Sequence, residues 1–261
     1  NINYIKGMDK KKKKNSVDLI ITDPPFAINF KADKKNYNRD KDKVIKEYNE
    51  VSPEEYQKFS MDWLSKSKNI LKEDGSIYIC SGWNYVDDIT QSLKKLGFKI
   101  VNHIIWKYSF GLYCKLRFIS SHFHIIYACL DDKKRSKKFN TYCRFKQEDK
   151  IKDTNKKALY SDMEDVWVIN KENWSGKITT ANKLPGDLIN KMLAYSSQRG
   201  DLIVDPFAGS GQVLWYAKKM GLDYIGFEKS EQAYTFAKYR LDNNQYFVDK
   251  KDWENVFKKI V

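Results

Sequence analysis

A glycine-rich segment, Asp205-Pro-Phe-Ala-Gly-Ser-Gly211, follows a short apolar run and precedes an amphipathic one. Gly209 and Gly211 permit a tight turn there and let a ligand approach the backbone closely. Glu228 ends the next apolar run, and a carboxylate at that place can accept hydrogen bonds from both hydroxyls of a ribose. The segment predicts a nucleoside pocket, whose acidic first residue favours a cationic ligand over a pyrophosphate.

The tetrapeptide Asp23-Pro24-Pro25-Phe26 ends another apolar run, Val17–Thr22. Two successive prolines fix the backbone and remove two N–H donors, so the carbonyl groups of Asp23 and Pro24 can face a cavity. The carboxylate of Asp23 completes an acceptor pair for an amino group, and Phe26 offers a flat face. An exocyclic amine held by two acceptors, with its ring stacked on an aromatic residue, is what chemistry on a flipped nucleobase requires.

The elements that must position these two motifs alternate along the chain. Runs of β-branched and aromatic residues predict strands at Val17–Thr22, Ser76–Cys80, Lys99–Trp106, Ser121–Leu130, Asp201–Val204 and Tyr224–Phe227. Amphipathic runs predict helices at Pro53–Leu71 with Ser52 as N-cap, Tyr85–Leu96, Pro185–Ser197, Gly211–Met220 and Ser230–Leu241. Gly75 is expected to separate a helix from a strand, and residues 31–50 to form a flexible charged loop. Such alternation predicts an α/β sheet with helices on both faces.

The composition is basic but contains enough apolar residues for a core. The chain has 261 residues, a formal net charge of +14 and 41% apolar residues, which excludes global disorder and favours a polyanionic partner. It has no apolar run near the roughly 20 residues that cross a bilayer, and no apolar signal segment, so we expect a cytoplasmic protein. The first residue is Asn1 rather than Met, and we expect further residues ahead of it.

The spacing of cysteine and histidine predicts no metal centre. We expect the four cysteines to be small buried residues, because they lack metal-ligand or disulfide spacing: Cys80, Cys114, Cys129 and Cys143. His122 and His124 would share one face of a strand, but the spacing provides no third ligand. We therefore expect these histidines to lie in the core or to line a pocket.

The alternation stops between Asp131 and Ala181. From Lys133 to Lys146 there are seven cations and no acid, interleaved with three aromatic residues, a pattern that suits a segment lying along DNA. We expect this region to choose the DNA sequence. The expected phosphate contacts are Lys133, Lys134, Lys137 and Lys138, and Arg144 is expected to meet a base edge.

The two motifs together resemble those of the DNA amino-methyltransferases that use S-adenosylmethionine, in the permuted β class whose DPPY/F motif precedes FxGxG. The resemblance covers nearly the whole chain, including Asn15–Phe26, Leu71–Ile79, His103–Lys107 and Arg117–His122. It implies a Rossmann-like methyltransferase sheet with a small inserted target-recognition region. We divide the chain into a catalytic half at 1–130, the target-recognition region at 131–181 and a cofactor-binding half at 182–261.

The resemblance also implies roles for individual residues. It assigns the cofactor to Asp205, Phe207, Gly209, Ser210, Gly211, Glu228 and Lys183. It assigns the target amine to Asp23, Pro24, Pro25 and Phe26, and the base pocket and DNA to Lys107, Arg117 and His122. The sequence departs from the family at two places: Phe26 replaces the commoner Tyr, and Lys183-Leu-Pro185 has one residue inserted into the usual Lys-Pro pair.

The implied activity is methyl transfer from S-adenosylmethionine to N6 of a flipped adenine in double-stranded DNA. Cytosine N4 is the alternative target, although cytosine enzymes of the family tend to carry Ser where Asp23 stands. A second alternative is a catalytically silent subunit that binds DNA or cofactor, against which the intact Asp23, Gly209 and Gly211 argue. A third is methylation of RNA or of a protein glutamine. A homodimer, or a companion subunit of a restriction-modification system, is a further expected association.

Overall fold

A computed structural model describes residues 3–7, 16–26, 51–109, 115–146, 148, 150–152, 158–172, 177–178 and 183–257. Its strands are β1 (Asn3–Gly7), β2 (Val17–Thr22), β3 (Leu71–Ser81), β4 (Lys99–Lys107), β5 (His122–Cys129), β6 (Lys150–Lys152), β7 (Ala158–Tyr160), β8 (Val166–Val168), β9 (Leu202–Asp205) and β10 (Asp223–Glu228). Its helices are α1 (Tyr56–Ile70), α2 (Val86–Lys95), α3 (Asp132–Ser136), α4 (Gly186–Ser196), α5 (Gln212–Lys219), α6 (Glu231–Asp242) and α7 (Lys250–Phe257).

The main sheet has eight strands in the order β1-β10-β9-β2-β3-β5-β4-β8. The strands β10, β9, β2 and β3 are mutually parallel, whereas β1 and β5 are antiparallel to their neighbours. All six residues of β2 are buried, as expected for a parallel strand covered on both faces. The carboxyl ends of β2, β3, β9 and β10 therefore meet at one edge, called here the carboxyl edge, and their starts form the amino edge.

Helices cover both faces of the sheet, as the sequence predicts. Successive residues of a strand point to opposite faces, and β2 shows the consequence. Leu19 and Ile21 join the core formed with α4, α5 and α6, whereas Ile20 joins the core formed with α1 and α2. The α/β fold class is thus confirmed, and the central strand is held from both sides.

The start of β3 differs from the prediction. Gly75 lies inside this strand and does not separate it from α1, because β3 begins at Leu71. The pairing with β2 is irregular there, since Val17 pairs with Leu71 and Leu19 with Ser76. The predicted helix start also changes, because Pro53–Glu55 form a 3-10 turn in which Ser52 Oγ donates to Glu55 Oε2 and caps no backbone group.

Four strands and two helices of the described part of the chain escaped prediction. Two of the strands, β1 and β8, lie at the two ends of the main sheet, and β6 and β7 form a separate hairpin. The helices are the short α3 and the terminal α7. Because β8 pairs with β4, the region 131–181 contributes a strand to the main sheet. The expected loop at 31–50 lies outside the described residues.

The cysteines behave in two ways. Cys80 and Cys129 are buried as predicted, but Cys143 is exposed, which corrects the prediction. It follows a short turn after α3, where the segment runs over the surface. Cys114 lies outside the described residues. None of the helices in the described part of the chain combines the length and apolar character needed to cross a membrane.

Gly75→Ala should lower the free energy of unfolding by about 1–3 kcal/mol, the usual cost of an added atom in a packed site. The new Cβ would lie 2.9 Å from the backbone oxygen of Asp18 and 2.8 Å from Leu71 Cδ1. Gly82→Ala is the matched control, because its Cβ meets its first neighbour at an ordinary 3.7 Å. Urea unfolding of both variants measures the difference, and equal stability of the two would contradict the packing described for β3.

Candidate active site

The two sequence motifs meet where β2 and β9 end. These strands pair in parallel, with Ile20 opposite Val204, so Asp23 and Asp205 follow side by side at the carboxyl edge. The hydroxyl of Thr22 donates to Asp205 Oδ1 at 2.8 Å, across 183 residues of sequence. The sheet therefore joins the proline motif and the glycine motif into one site.

The carboxylate of Glu228 fastens the glycine loop to the end of β10. Its Oε2 accepts the N–H of Gly209 at 2.8 Å, and its Oε1 accepts the N–H of Ser230 at 2.8 Å. Both glycines have a positive φ, of 50° at Gly209 and 75° at Gly211. They differ in the space around the position of a Cβ. A Cβ on Gly209 would meet nothing within 4 Å, whereas one on Gly211 would lie 2.9 Å from Ala237 Cβ. Gly209 thus faces open space, and Gly211 lets α5 begin against α6.

A buried guanidinium supports this loop from behind. Arg240 of α6 is 1% exposed and donates to the backbone oxygen of Ser210 at 2.6 Å, to Gln212 Oε1 at 2.9 Å and to the backbone oxygen of Tyr246 at 3.0 Å. Burial lowers its pKa to about 10, so it remains charged at neutral pH. Sequence reasoning missed this residue. The available signal was a cation four positions after Phe236, on the apolar side of the predicted helix.

Two further predicted cofactor residues lie at the border of the loop. The ring of Phe207 packs against α1, 5.6 Å from the ring of Phe59 and 5.5 Å from that of Trp63. Lys183 Nζ donates to the backbone oxygen of Glu172 at 3.3 Å. Its neighbour Leu184 accepts a bond from the side chain of Gln212 at 3.2 Å, which brings the Lys-Leu-Pro element to the start of α5.

The carboxyl group of Asp205 is buried, and Asp23 is half-buried. Burial, together with the negative charge of Asp205, raises the pKa of Asp23 to about 7, and the charge of Lys171 acts in the other direction. Burial, together with Glu228, raises the pKa of Asp205 to about 7, although Thr22 and the N–H of Phe207 donate to it. Asp23 Oδ1 is cut off from solvent and has no hydrogen-bond partner among the described residues. The site thus presents an unused buried acceptor.

Aromatic rings form the floor next to Asp23. Phe26 lies 5.6 Å from Phe123, measured between ring centres, and Phe123 lies 5.4 Å from Trp106 and 5.5 Å from Tyr108. The ammonium of Lys171 stands 4.2 Å from the ring centre of Tyr108 and 4.7 Å from that of Phe123. Sequence reasoning did not single out Tyr108, Phe123 or Lys171. Part of this floor could have been predicted from Trp106 and Tyr108, which alternate at the end of β4.

The structure places three predicted DNA contacts at the carboxyl edge. Lys107 ends β4 and pairs with His122, which begins β5, next to the end of β3 where Ser81 pairs with His124. Arg117 is exposed on the described part of the β4–β5 connection. The flanking side chains of Leu116 and Phe118 are 99% and 100% exposed. An apolar and basic loop therefore stands beside the aromatic floor.

The other predicted DNA contacts do not come to this edge. The four lysines lie in or just after α3: Lys133, Lys134, Lys137 and Lys138. The last three lie beside residues 72–74, at the amino edge. Lys134 pairs with Glu73, and Lys138 Nζ lies 2.7 Å from Asp18 Oδ1 and 3.2 Å from Asp74 Oδ2. The buried Asp18 requires such cations. Lys134 and Lys138 thus neutralise acids of the fold. Phosphate contacts by the four lysines stay a prediction.

Arg144, the expected base reader, is held within the same region. Its Nε lies 3.1 Å from Asp162 Oδ2, which also accepts the hydroxyl of Tyr195 at 2.6 Å. Lys191 of α4 completes this group, 3.2 Å from Asp162 Oδ1. Asp162 therefore links the region 131–181 to α4 by ion pairs and a hydrogen bond, and Arg144 is one of its partners.

A protein family described as DNA methylase matches residues 17–239. The chain belongs to this family. Among its relatives, Type II methyltransferase M2.DpnII of Streptococcus pneumoniae is 29% identical over 240 residues, which cover 89% of this chain and 85% of that one.

Two solved structures have the same fold as this methylase. The PvuII DNA methyltransferase, described as cytosine-N4-specific, gives a TM-score of 0.68 at 18% identity and covers 95% of this chain and 86% of that chain. The M1.HpyAVI–SAM complex gives a TM-score of 0.58 at 19% identity and covers 87% of this chain and 89% of that chain. The predicted enzyme class is confirmed: the chain is a DNA methyltransferase, with S-adenosylmethionine as its methyl donor and DNA as its partner.

Asp23→Asn should raise the stability of the cofactor-free methylase at neutral and alkaline pH. Because the pKa of Asp23 is about 7 in the folded state and about 4 in an unfolded chain, the folded state binds the extra proton between these values. Stability is therefore lost as pH rises from about 4 to 7. The variant should match wild type at pH 4 and gain up to about 4 kcal/mol at pH 8.

Urea unfolding at pH 4, 6 and 8 measures this gain. Asp165→Asn makes the same change on an exposed side chain and should stay within about 0.5 kcal/mol of wild type throughout. An Asp23→Asn variant that is less stable than wild type at pH 8 would show that the buried carboxylate contributes favourably to the fold.

Proposed function

We propose that this methylase transfers a methyl group to N6 of an adenine rotated out of double-stranded DNA. The observation that carries the proposal is the buried oxygen of Asp23, which lacks a partner among the described residues and stands beside an aromatic floor. A buried acceptor of this kind is costly unless a ligand satisfies it. An exocyclic amino group of a base stacked on Phe26 would do so.

The residues proposed to hold the cofactor are Asp205, Phe207, Gly209, Ser210, Gly211, Glu228 and Lys183. The open space at Gly209 leaves room for a ligand, and the second lone pairs of the Glu228 oxygens remain able to accept ribose hydroxyls. S-adenosylmethionine supplies the methyl group on a positively charged sulfur. The acidic groups of Asp205 and Glu228 suit that charge.

The residues proposed to act on the target are Asp23, Pro24, Pro25 and Phe26. Asp23 and the carbonyl of Pro24 would accept the two N–H bonds of the amine, so that its lone pair points away from them. Such positioning lowers the barrier without prior deprotonation, because the neutral amine is already a nucleophile. Asp23 would then stabilise the positive charge that develops on nitrogen and take up the proton.

Adenine is proposed over cytosine because Asp, and not Ser, occupies position 23. The likeness to a cytosine-N4-specific structure at 18% identity concerns the fold. A silent subunit would have no need of an intact acceptor and an open glycine loop. The proposal therefore takes this chain to be the active subunit.

The carboxyl edge is the proposed DNA surface. Lys107, Arg117 and His122 would approach phosphates there, and the exposed Leu116 and Phe118 would meet the bases. We propose that residues 131–181 contribute to target recognition through the part after β8, which reaches this edge beside Lys107. The boundaries 1–130 and 182–261, an association with a second copy or companion subunit, and a cytoplasmic location stay predictions.

Wild-type methylase should convert adenine in duplex oligonucleotides to N6-methyladenine. Transfer of labelled methyl groups from S-adenosylmethionine, followed by nucleoside analysis, identifies the product base. Asp23→Ala should lose most of this activity, because the amine loses its charged acceptor. N4-methylcytosine as the product would overturn the choice of adenine, and turnover within about threefold of wild type in Asp23→Ala would remove Asp23 from its role.

Glu228→Ala should weaken S-adenosylmethionine binding by about 1–3 kcal/mol, since two charge-assisted hydrogen bonds to the ribose are lost. Isothermal titration calorimetry measures the affinity. Glu231→Ala, in the first turn of α6, removes an exposed carboxylate and should bind like wild type. Unchanged affinity in Glu228→Ala would place the ribose elsewhere.

A further inference from the structure

Hydrogen bonds at the end of the sheet fix the backbone that leads to Lys171, next to the aromatic floor. The parallel pairing of β8 with β4 ends at Val168 and Lys107, and the next residue, Ile169, donates its N–H to the oxygen of Lys107 at 3.0 Å. Trp106 Nε1 in turn donates to the oxygen of Ile169 at 2.7 Å. The backbone that leads to Lys171 is thus hydrogen-bonded on both sides.

The side chain of Lys171 contacts two aromatic rings. Its ammonium stands over the rings of Tyr108 and Phe123, at 4.2 Å and 4.7 Å from their centres, where the ring quadrupoles attract a cation. Phe123 also contacts Phe26, the last residue of the proline motif. The ammonium of Lys171 therefore lies next to the loop that carries Asp23.

The other charges around Asp23 are negative. The charge of Asp205, at the end of β9, raises the pKa of Asp23, and the charge of Glu228, at the end of β10, raises that of Asp205. Cys80 of β3 is neutral, because burial and the two aspartates raise the pKa of its thiol well above the usual value. Among the residues that the structure describes, Lys171 is the cation whose charge acts on Asp23.

We propose that Lys171 is the counter-ion that favours the carboxylate form of Asp23 in the base pocket before the target base arrives. The inference rests on the proposed function, in which the carboxylate of Asp23 accepts an N–H of the target amine. A protonated Asp23 would turn one acceptor into a donor facing that amine. Lys171 acts through Asp23 and is therefore a positioning residue.

The test compares Lys171→Met with Lys171→Arg, which keeps the charge. The matched control is Lys219→Met, because Lys219 makes a similar contact, 5.0 Å from the ring centre of Trp215, at the end of α5 away from the site. Two quantities are measured for each protein. One is the pH dependence of kcat/KM for duplex DNA, and the other is the titration of the Asp23 carboxyl carbon by NMR in the cofactor-free protein, assigned with Asp23→Asn.

Lys171→Met should move both the acid limb of kcat/KM and the NMR midpoint to higher pH by about one unit, as expected for the loss of a nearby opposite charge. The loss of activity should accordingly be large at pH 6.5 and small at pH 8.5. Lys171→Arg and Lys219→Met should titrate like wild type. If Lys171→Met fails to fold, Lys171→Gln takes its place, since the position is exposed.

An unchanged NMR midpoint in Lys171→Met would overturn the inference, as would a loss of activity equal at every pH. A wild-type protein that transfers no methyl group would instead overturn the proposed function. The NMR titration distinguishes the two failures, because it needs neither cofactor nor DNA.

Discussion

The parallel pairing of β2 with β9 is the constraint on which the rest of the site depends. It brings Asp23 and Asp205 to neighbouring strand ends, where burial and mutual repulsion disfavour two negative charges. Thr22 relieves part of this cost by donating to Asp205. The remainder must be offset by the two cores, one on each face, that keep the strands in register. The acids of the site are thus held together by the apolar residues of the two cores.

The glycine loop is held in the same indirect way. A backbone that must leave open space at Gly209 cannot be fixed by side-chain packing at that point, so hydrogen bonds fix it from the two sides. Glu228 accepts the N–H of Gly209 from the end of β10, and Arg240 donates to the backbone oxygen of Ser210 from α6. Support of this kind prepares a binding geometry before the ligand arrives. Glu228 therefore shapes the loop and also offers its carboxylate to a ligand.

The central strands and both motifs could be predicted from sequence, because continuous apolar runs, paired prolines and paired glycines have few structural alternatives. The edge strands β1 and β8 could not, since short edge strands need no continuous apolar pattern. Gly75 suggested a break but lies in a strand, because Leu71 and Asp18 leave room only for glycine. Arg240 and Lys171 could not be assigned, because their partners come from distant parts of the chain: Ser210 for Arg240, and the rings of Tyr108 and Phe123 for Lys171.

The net charge of this methylase does not by itself indicate which surface is proposed to bind DNA. The formal charge of +14 attracts a polyanion to the whole molecule. Yet the lysines in and just after α3 lie at the amino edge, where Lys138 neutralises Asp18 and Asp74. Burial alone would raise the pKa of Asp18, but the N–H of Leu202 and the two lysines beside it hold that pKa below its usual value. Cations of a segment that contains no acids are therefore paired with acids from other parts of the chain. The cations proposed to approach DNA lie instead at the carboxyl edge, on the same side of the sheet as the unused acceptor of Asp23.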